Sequence, residues 1–142
     1  MNDATIRPTT TLDAKQISIL SGQLGDFVSE TDISHRLEHQ GNQQETFVAE
    51  MDDKIIGWIN VFVRLEILSG IQARVGGLVV DEAIRGKGIG RSLMNAAEDW
   101  AKKMDSKTLK LNTRTERGGA HIFYQKIGYE KAKVQTSFKK KL

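Results

Sequence analysis

The stretch "RGKGIGRS", residues 85 to 92, constrains this chain more than any other. Gly86, Gly88 and Gly90 alternate with other residues, and Arg85, Lys87 and Arg91 supply positive charge among them. After the loop, apolar residues recur every three or four positions at Ile89, Leu93, Ala96, Ala97, Trp100 and Met104, which predicts a long amphipathic helix. Before it, "ARVGGLVVDE" reads as a strand, and its run Leu78-Val79-Val80 predicts burial on both faces and a place in mid-sheet. The loop therefore joins a strand to the N-terminus of a helix, where unbonded N–H groups and the helix dipole favour an anion. Glycine lets the main chain approach that anion closely. A bare connecting turn has no need of three basic residues, so an anion site is the better reading. Two well-known phosphate loops do not fit: there is no GxxxxGK followed by Ser or Thr, and Leu93 stands where GxGxxG requires its third glycine.

The rest of the chain can be placed around this unit. A short strand is expected around Thr5 to Arg7, followed by a helix through Leu12, Ile17, Leu20 and Leu24 that stops at Gly25. "SETDISHRLEHQG" predicts a second helix, capped by Ser29 or Thr31 and ended by Gly41. "ETFVAEMDDKIIGWINVFVRL" predicts a hairpin turning near Asp52-Asp53. Beyond the long helix, "TLKLNT" is expected as a strand, "GGAHIFYQKIG" as a short helix closed by Gly128, and "VQTSFKK" as a last strand. Hairpins beside a strand-loop-helix unit indicate an α+β or mixed α/β domain with helices on both faces of one sheet.

At 142 residues the expectation is one domain spanning 1–142. With 39% hydrophobic and 27% charged residues and no long apolar run, no membrane partner is expected, and the start "MNDATIRP" lacks a signal-peptide pattern. The expected location is cytoplasmic. The chain has no cysteine, which excludes disulfides, thiolate metal sites and a cysteine nucleophile. His35 and His39 share a helical spacing that suits a metal, but no third ligand accompanies them, so no metal is expected. The net charge of +3 lies partly in the terminal "FKKKL", and no basic-aromatic stripe accompanies it, so no nucleic-acid partner is expected.

"LVVDEAIRGKGIGRSLM" resembles the pyrophosphate-binding motif of the GNAT superfamily of acyl-CoA-dependent N-acyltransferases, (Arg/Gln)-x-x-Gly-x-(Gly/Ala), which falls on Arg85, Gly88 and Gly90. "NTRTERGGAHIFYQKIGYE" resembles the family's later block, a strand asparagine followed by a helix with Ala-x-x-Phe-Tyr and then Gly-Tyr. "RxxAHxFYxxxGY" at Arg117 to Tyr129 is also similar to the aminoalkylphosphonate acetyltransferases of that superfamily.

The resemblance implies a single mixed, mostly antiparallel sheet, splayed between "GGLVVD" and "LKLNT" to admit the pantetheine arm of the cosubstrate acetyl-CoA. It implies backbone pairing of Leu78, Val79 and Val80 with the pantetheine amides. It also implies pyrophosphate binding by the N–H groups of Gly86, Lys87, Gly88, Ile89, Gly90 and Arg91, with charge support from Arg85 and Lys87, and a side-chain contact from Asn112. A backbone N–H at Val79 or Val80 would polarise the thioester carbonyl, and Tyr124 stands at the place of the family's general-acid tyrosine.

Where many relatives carry a basic glutamate this chain has Arg74, which cannot take a proton. Glu66, Asp81, Glu116 and His121 are weak candidates for the base. Arg74 itself suits an acidic group on the amine substrate. The expected activity is acetyl transfer from acetyl-CoA to a primary amine of a small molecule, by direct attack in a ternary complex. The alternatives are a non-catalytic acyl-CoA-binding regulator and a protein-lysine acetyltransferase. The oligomeric state stays open, a homodimer being among the states allowed.

Overall fold

The computed structural model describes residues 3–113 and 118–142. These fall into two compact units, 1–111 and 112–142. In the first unit, five strands form one sheet in the order β1-β2-β3-β4-β5: Thr5–Pro8, Gln44–Met51, Lys54–Glu66, Gly70–Val80 and Leu109–Lys110. The first three pairings are antiparallel and β4–β5 is parallel. The mixed, mostly antiparallel sheet expected from the sequence is therefore present.

The β2–β3 turn falls at Asp52-Asp53, both with positive φ (53° and 60°), the twist that suits a two-residue hairpin. Along β3, side chains alternate between two cores. Trp58 packs with Val48, Ile55 and Val79 against α1 (Ala14–Gly22) and α2 (Glu30–Glu38). On the opposite face a Cβ at Gly57 would lie 3.1 Å from Leu93 and 3.4 Å from Ile89, so glycine here lets α3 (Ile89–Lys103) press onto the sheet. Val63 and Ala73 continue that side against Ala101. Helices thus cover both faces. Ser29 caps α2, its side chain accepting from the Asp32 N–H at 3.0 Å, and Gly25 and Gly41 take positive φ past the ends of α1 and α2.

Opposite Asn60 and Val61 the ladder slips by one residue and leaves Gly76 as a bulge in β4. The bulge decides how β4 ends. It pairs with β5 only at Ala73 and Arg74, and a bulged strand bends away from its neighbour. From Val75 to Val80 the outer edge of β4 therefore pairs with no strand among the described residues.

Three expectations need correction. The run Leu78-Val79-Val80 is not buried on both faces: Val79 is buried, while Leu78 and Val80 are half-buried beside the open edge. "TLKLNT" is a strand only at Leu109–Lys110, because β4 turns away beyond that pair, so Asn112 follows the strand instead of lying on it. "VQTSFKK" forms no strand, and Val134 and Phe138 are exposed. β-Propensity without a partner edge does not hold a strand. In the second unit, α4 (Gly118–Lys126) forms as expected, and Gly128 takes φ 101° just beyond it.

Candidate active site

The open edge of β4 runs directly into the glycine loop. Val80 leads to Asp81, whose buried carboxylate accepts from the Ala83 N–H at 3.1 Å and from Gln23 Nε2 at 3.3 Å. Gln23 Oε1 in turn accepts from the Glu82 N–H at 3.0 Å, so the end of α1 clamps the start of the loop. A short 3-10 turn, Glu82–Ile84, then brings the chain to Arg85. Gly86 and Gly88 adopt φ of 83° and 81°, left-handed conformations that glycine takes without strain. Gly88 is the N-cap of α3 and its carbonyl accepts from both the N–H and the hydroxyl of Ser92, at 3.0 and 3.1 Å.

The N–H groups of Ile89, Gly90 and Arg91 open the helix with no carbonyl one turn back to receive them. Ile89 anchors this end in the core, while Arg85, Gly86, Lys87, Gly88 and Arg91 are exposed. A cluster of main-chain donors with cationic side chains around it suits a phosphate or pyrophosphate. Strand edge and donor cluster are consecutive, so one extended ligand with amides at one end and phosphates at the other would match both.

Arg74 projects from β4 on the Trp58 face, and its Nη2 donates to Glu66 Oε2 at 3.3 Å. Glu66 also accepts from Arg64 Nε at 2.7 Å. Hydrogen bonds from Arg64, then Arg74, hold its carboxyl below the usual range, which makes it a poor proton acceptor. Asp81 is committed to its turn. Glu116 lies outside the described residues, and His121 is on α4. The Nε of Arg74 is buried and meets no hydrogen-bond partner among the described residues. His35 and His39 stack at 4.2 Å on the surface, with His39 Nδ1 2.7 Å from the His35 carbonyl. Among the described residues no three His, Asp or Glu side chains are grouped to hold a metal.

In the second unit, Tyr124 is half-buried on α4, edge-on to Phe123 at 5.1 Å and to Tyr129 at 6.1 Å. Burial pushes its phenol above the ordinary tyrosine value, so it keeps its proton throughout the neutral range. Asn112 is exposed.

One group of residues was not legible as a site in the sequence. Between α1, α2 and the sheet lies a pocket of about 280 Å³. Its polar wall includes Gln40, Gln44, Thr46 and Asn60, and Trp58 forms part of its floor. Asn60 Nδ2 lies 3.1 Å from Thr46 Oγ1 and 3.2 Å from Gln44 Oε1. The available signal was period-two alternation: Trp58, Asn60, Phe62 and Arg64 share one face of β3, and an asparagine in that row has to be satisfied locally.

Residues 17–129 match the Acetyltransferase (GNAT) family. An uncharacterized N-acetyltransferase of Methanocaldococcus jannaschii is 33% identical over 95 residues, 62% of this chain; the match spans only 40% of that protein's length. An uncharacterized N-acetyltransferase of Bacillus subtilis is 28% identical over 88% of this chain and 89% of its own. An aminoglycoside N-acetyltransferase solved in complex with CoA superimposes with a TM-score of 0.87 at 19% identity, over 98% of this chain and 95% of its own. The chain belongs to the acetyltransferase (GNAT) family. By class it is an acetyl-CoA-dependent N-acetyltransferase.

Proposed function

We propose that residues 1–142 act as a single catalytic domain that moves the acetyl group of acetyl-CoA to a primary amine of a small molecule, by direct attack in a ternary complex. The observation that carries this reading is the outer edge of β4 from Val75 to Val80, which pairs with no strand among the described residues and is continuous with the donor cluster at the start of α3. Leu78, Val79 and Val80 pair with the pantetheine amides as an added strand would. The loop from Arg85 to Arg91 binds the pyrophosphate, and Asn112 adds a side-chain contact. A backbone N–H at Val79 or Val80 polarises the thioester carbonyl.

The amine has to lose a proton before it attacks. An alkylammonium of pKa near 10.4 lies about three units above neutrality, a cost of about 4 kcal/mol. With Glu66 and Asp81 engaged elsewhere, that proton leaves through water. Tyr124, fully protonated at neutral pH, donates to the departing thiolate. Arg74 lends positive charge to the acceptor face of the sheet, in keeping with an amine that carries an acidic group.

Free-thiol release from acetyl-CoA, measured across a panel of small amines, tests this reading. Amine-dependent release supports acetyl transfer to a small molecule, and tight acetyl-CoA binding with no release above the buffer rate, for any amine, overturns it.

A further inference from the structure

The pocket between α1, α2 and the sheet is distinctive in its charge. Among its lining residues are Ile17, Val28, Ile33 and Leu37, an apolar lining, and the uncharged polar groups already described. Among the described residues no aspartate or glutamate lines it, and the one charged lining residue is Arg36, an exposed residue in the last turn of α2. The Arg36 guanidinium makes no ion pair or side-chain hydrogen bond among the described residues. Trp58 adds a second unspent donor, since its Nε1 is buried and has no hydrogen-bond partner among the described residues. A buried N–H without a partner carries a desolvation cost that a ligand acceptor would relieve.

The pocket also reaches the strand edge. Gly76, the bulge residue of β4, lines it, and a Cβ at that position would lie 2.5 Å from Asn60 Oδ1. Glycine thus keeps the pocket open beside the part of β4 whose outer edge pairs with no strand among the described residues.

We propose that this pocket receives the acceptor amine and selects one carrying a compact anionic group, a carboxylate or phosphonate, with Arg36 as the residue that recognises the anion. This rests on the acetyl-transfer reading above and adds to it the charge class of the acceptor. A polycationic amine, such as an aminoglycoside, is disfavoured: each added ammonium would meet a guanidinium and no carboxylate. A monoamine with an anionic end places that end at the exposed guanidinium, where a fork of N–H donors matches it. The rest of the ligand then lies beside the Trp58 ring and the Gln40 and Gln44 side chains that line the pocket.

The test reads the pocket directly, apart from turnover. The chain has two tryptophans, so the Trp58 indole N–H signal in a nitrogen-15 NMR spectrum is assigned with a Trp100→Phe variant. The full chain, with CoA at saturation, is titrated with 3-aminopropanoate, 2-aminoethylphosphonate, ethanolamine and spermidine. The expected result is that one or both anionic probes shift the Trp58 signal at lower concentration than ethanolamine, with spermidine weakest. Arg36→Gln, a change at an exposed position, should raise the anionic dissociation constants roughly tenfold to a hundredfold and leave ethanolamine unchanged.

A Trp58 signal unmoved by either anionic probe at tens of millimolar overturns the proposal. So does spermidine or ethanolamine binding as well as the anions, or equal anion binding by Arg36→Gln. CoA binding, followed by calorimetry in the same samples, reports on the acetyl-transfer reading separately. Its absence would remove that reading without deciding the pocket's preference.

Discussion

Tyr124 carries the acid role through its environment. Burial raises its pKa above that of a free phenol, so the proton it gives the thiolate is present throughout the neutral range. Tyr124→Phe keeps the ring and removes the proton. Turnover should fall by roughly a hundredfold or more, the usual worth of a positioned general acid, with little change in the acetyl-CoA dissociation constant. The pH profile is a second check: loss of Tyr124 protonation should depress the wild-type rate only on the far alkaline side. Near-wild-type turnover of the phenylalanine variant, or a limb near neutrality that disappears with it, would remove the assignment. Arg74 shows the limit of reading single residues. The sequence places it where a base is missing, but its partner Glu66 lies across the β3–β4 turn, and that pairing depends on register.

At the scale of elements, the loop between β4 and α3 was legible because its demands are local. Positive φ at Gly86 and Gly88, an open helix start and an amphipathic α3 all follow from short-range letters. Gly88→Ala tests how far function depends on that backbone. A Cβ at φ 81° costs on the order of 1–2 kcal/mol and displaces the amides of Ile89 and Gly90. The acetyl-CoA dissociation constant should rise by at least about tenfold, with a smaller loss of thermal stability. Unchanged affinity in a folded variant would mean that the loop does not hold the pyrophosphate. The elements that were misread, a full strand at "TLKLNT" and a terminal strand at "VQTSFKK", failed for one reason. Propensity names segments able to pair, whereas pairing needs an available edge, and the Gly76 bulge removes most of the β4 edge from β5. The pocket was hidden for a related reason: Arg36, Gln40, Gln44 and Trp58 come from a helix, the segment after it and two strands, and only packing assembles them.

Over the whole molecule, the N-terminal strand is tied down by charge. Arg7 on β1 donates through both terminal nitrogens to Asp13 at 2.9 Å and through Nε to Glu50 at 3.3 Å. The hydrogen bond from Arg7 is the main cause holding the Asp13 carboxyl below its ordinary 3.8, ahead of the opposing effect of burial. Because the folded value is the lower one, unfolding takes up a proton. The stabilisation is therefore complete above about pH 4 and fades as pH falls through the folded value. Asp13→Asn should lower the melting temperature at pH 7 and flatten its fall in acid. An equally steep acid fall in the variant would place the pH-sensitive group elsewhere.

The central claim is that a strand edge and a glycine loop together bind acetyl-CoA, and calorimetric titration of the protein with acetyl-CoA, beside ATP and NAD, tests it most directly. The account predicts one site, selective for acetyl-CoA, since only that ligand supplies pantetheine amides for β4 as well as a pyrophosphate for α3. No acetyl-CoA binding, or binding no tighter than that of ATP and NAD, would contradict it.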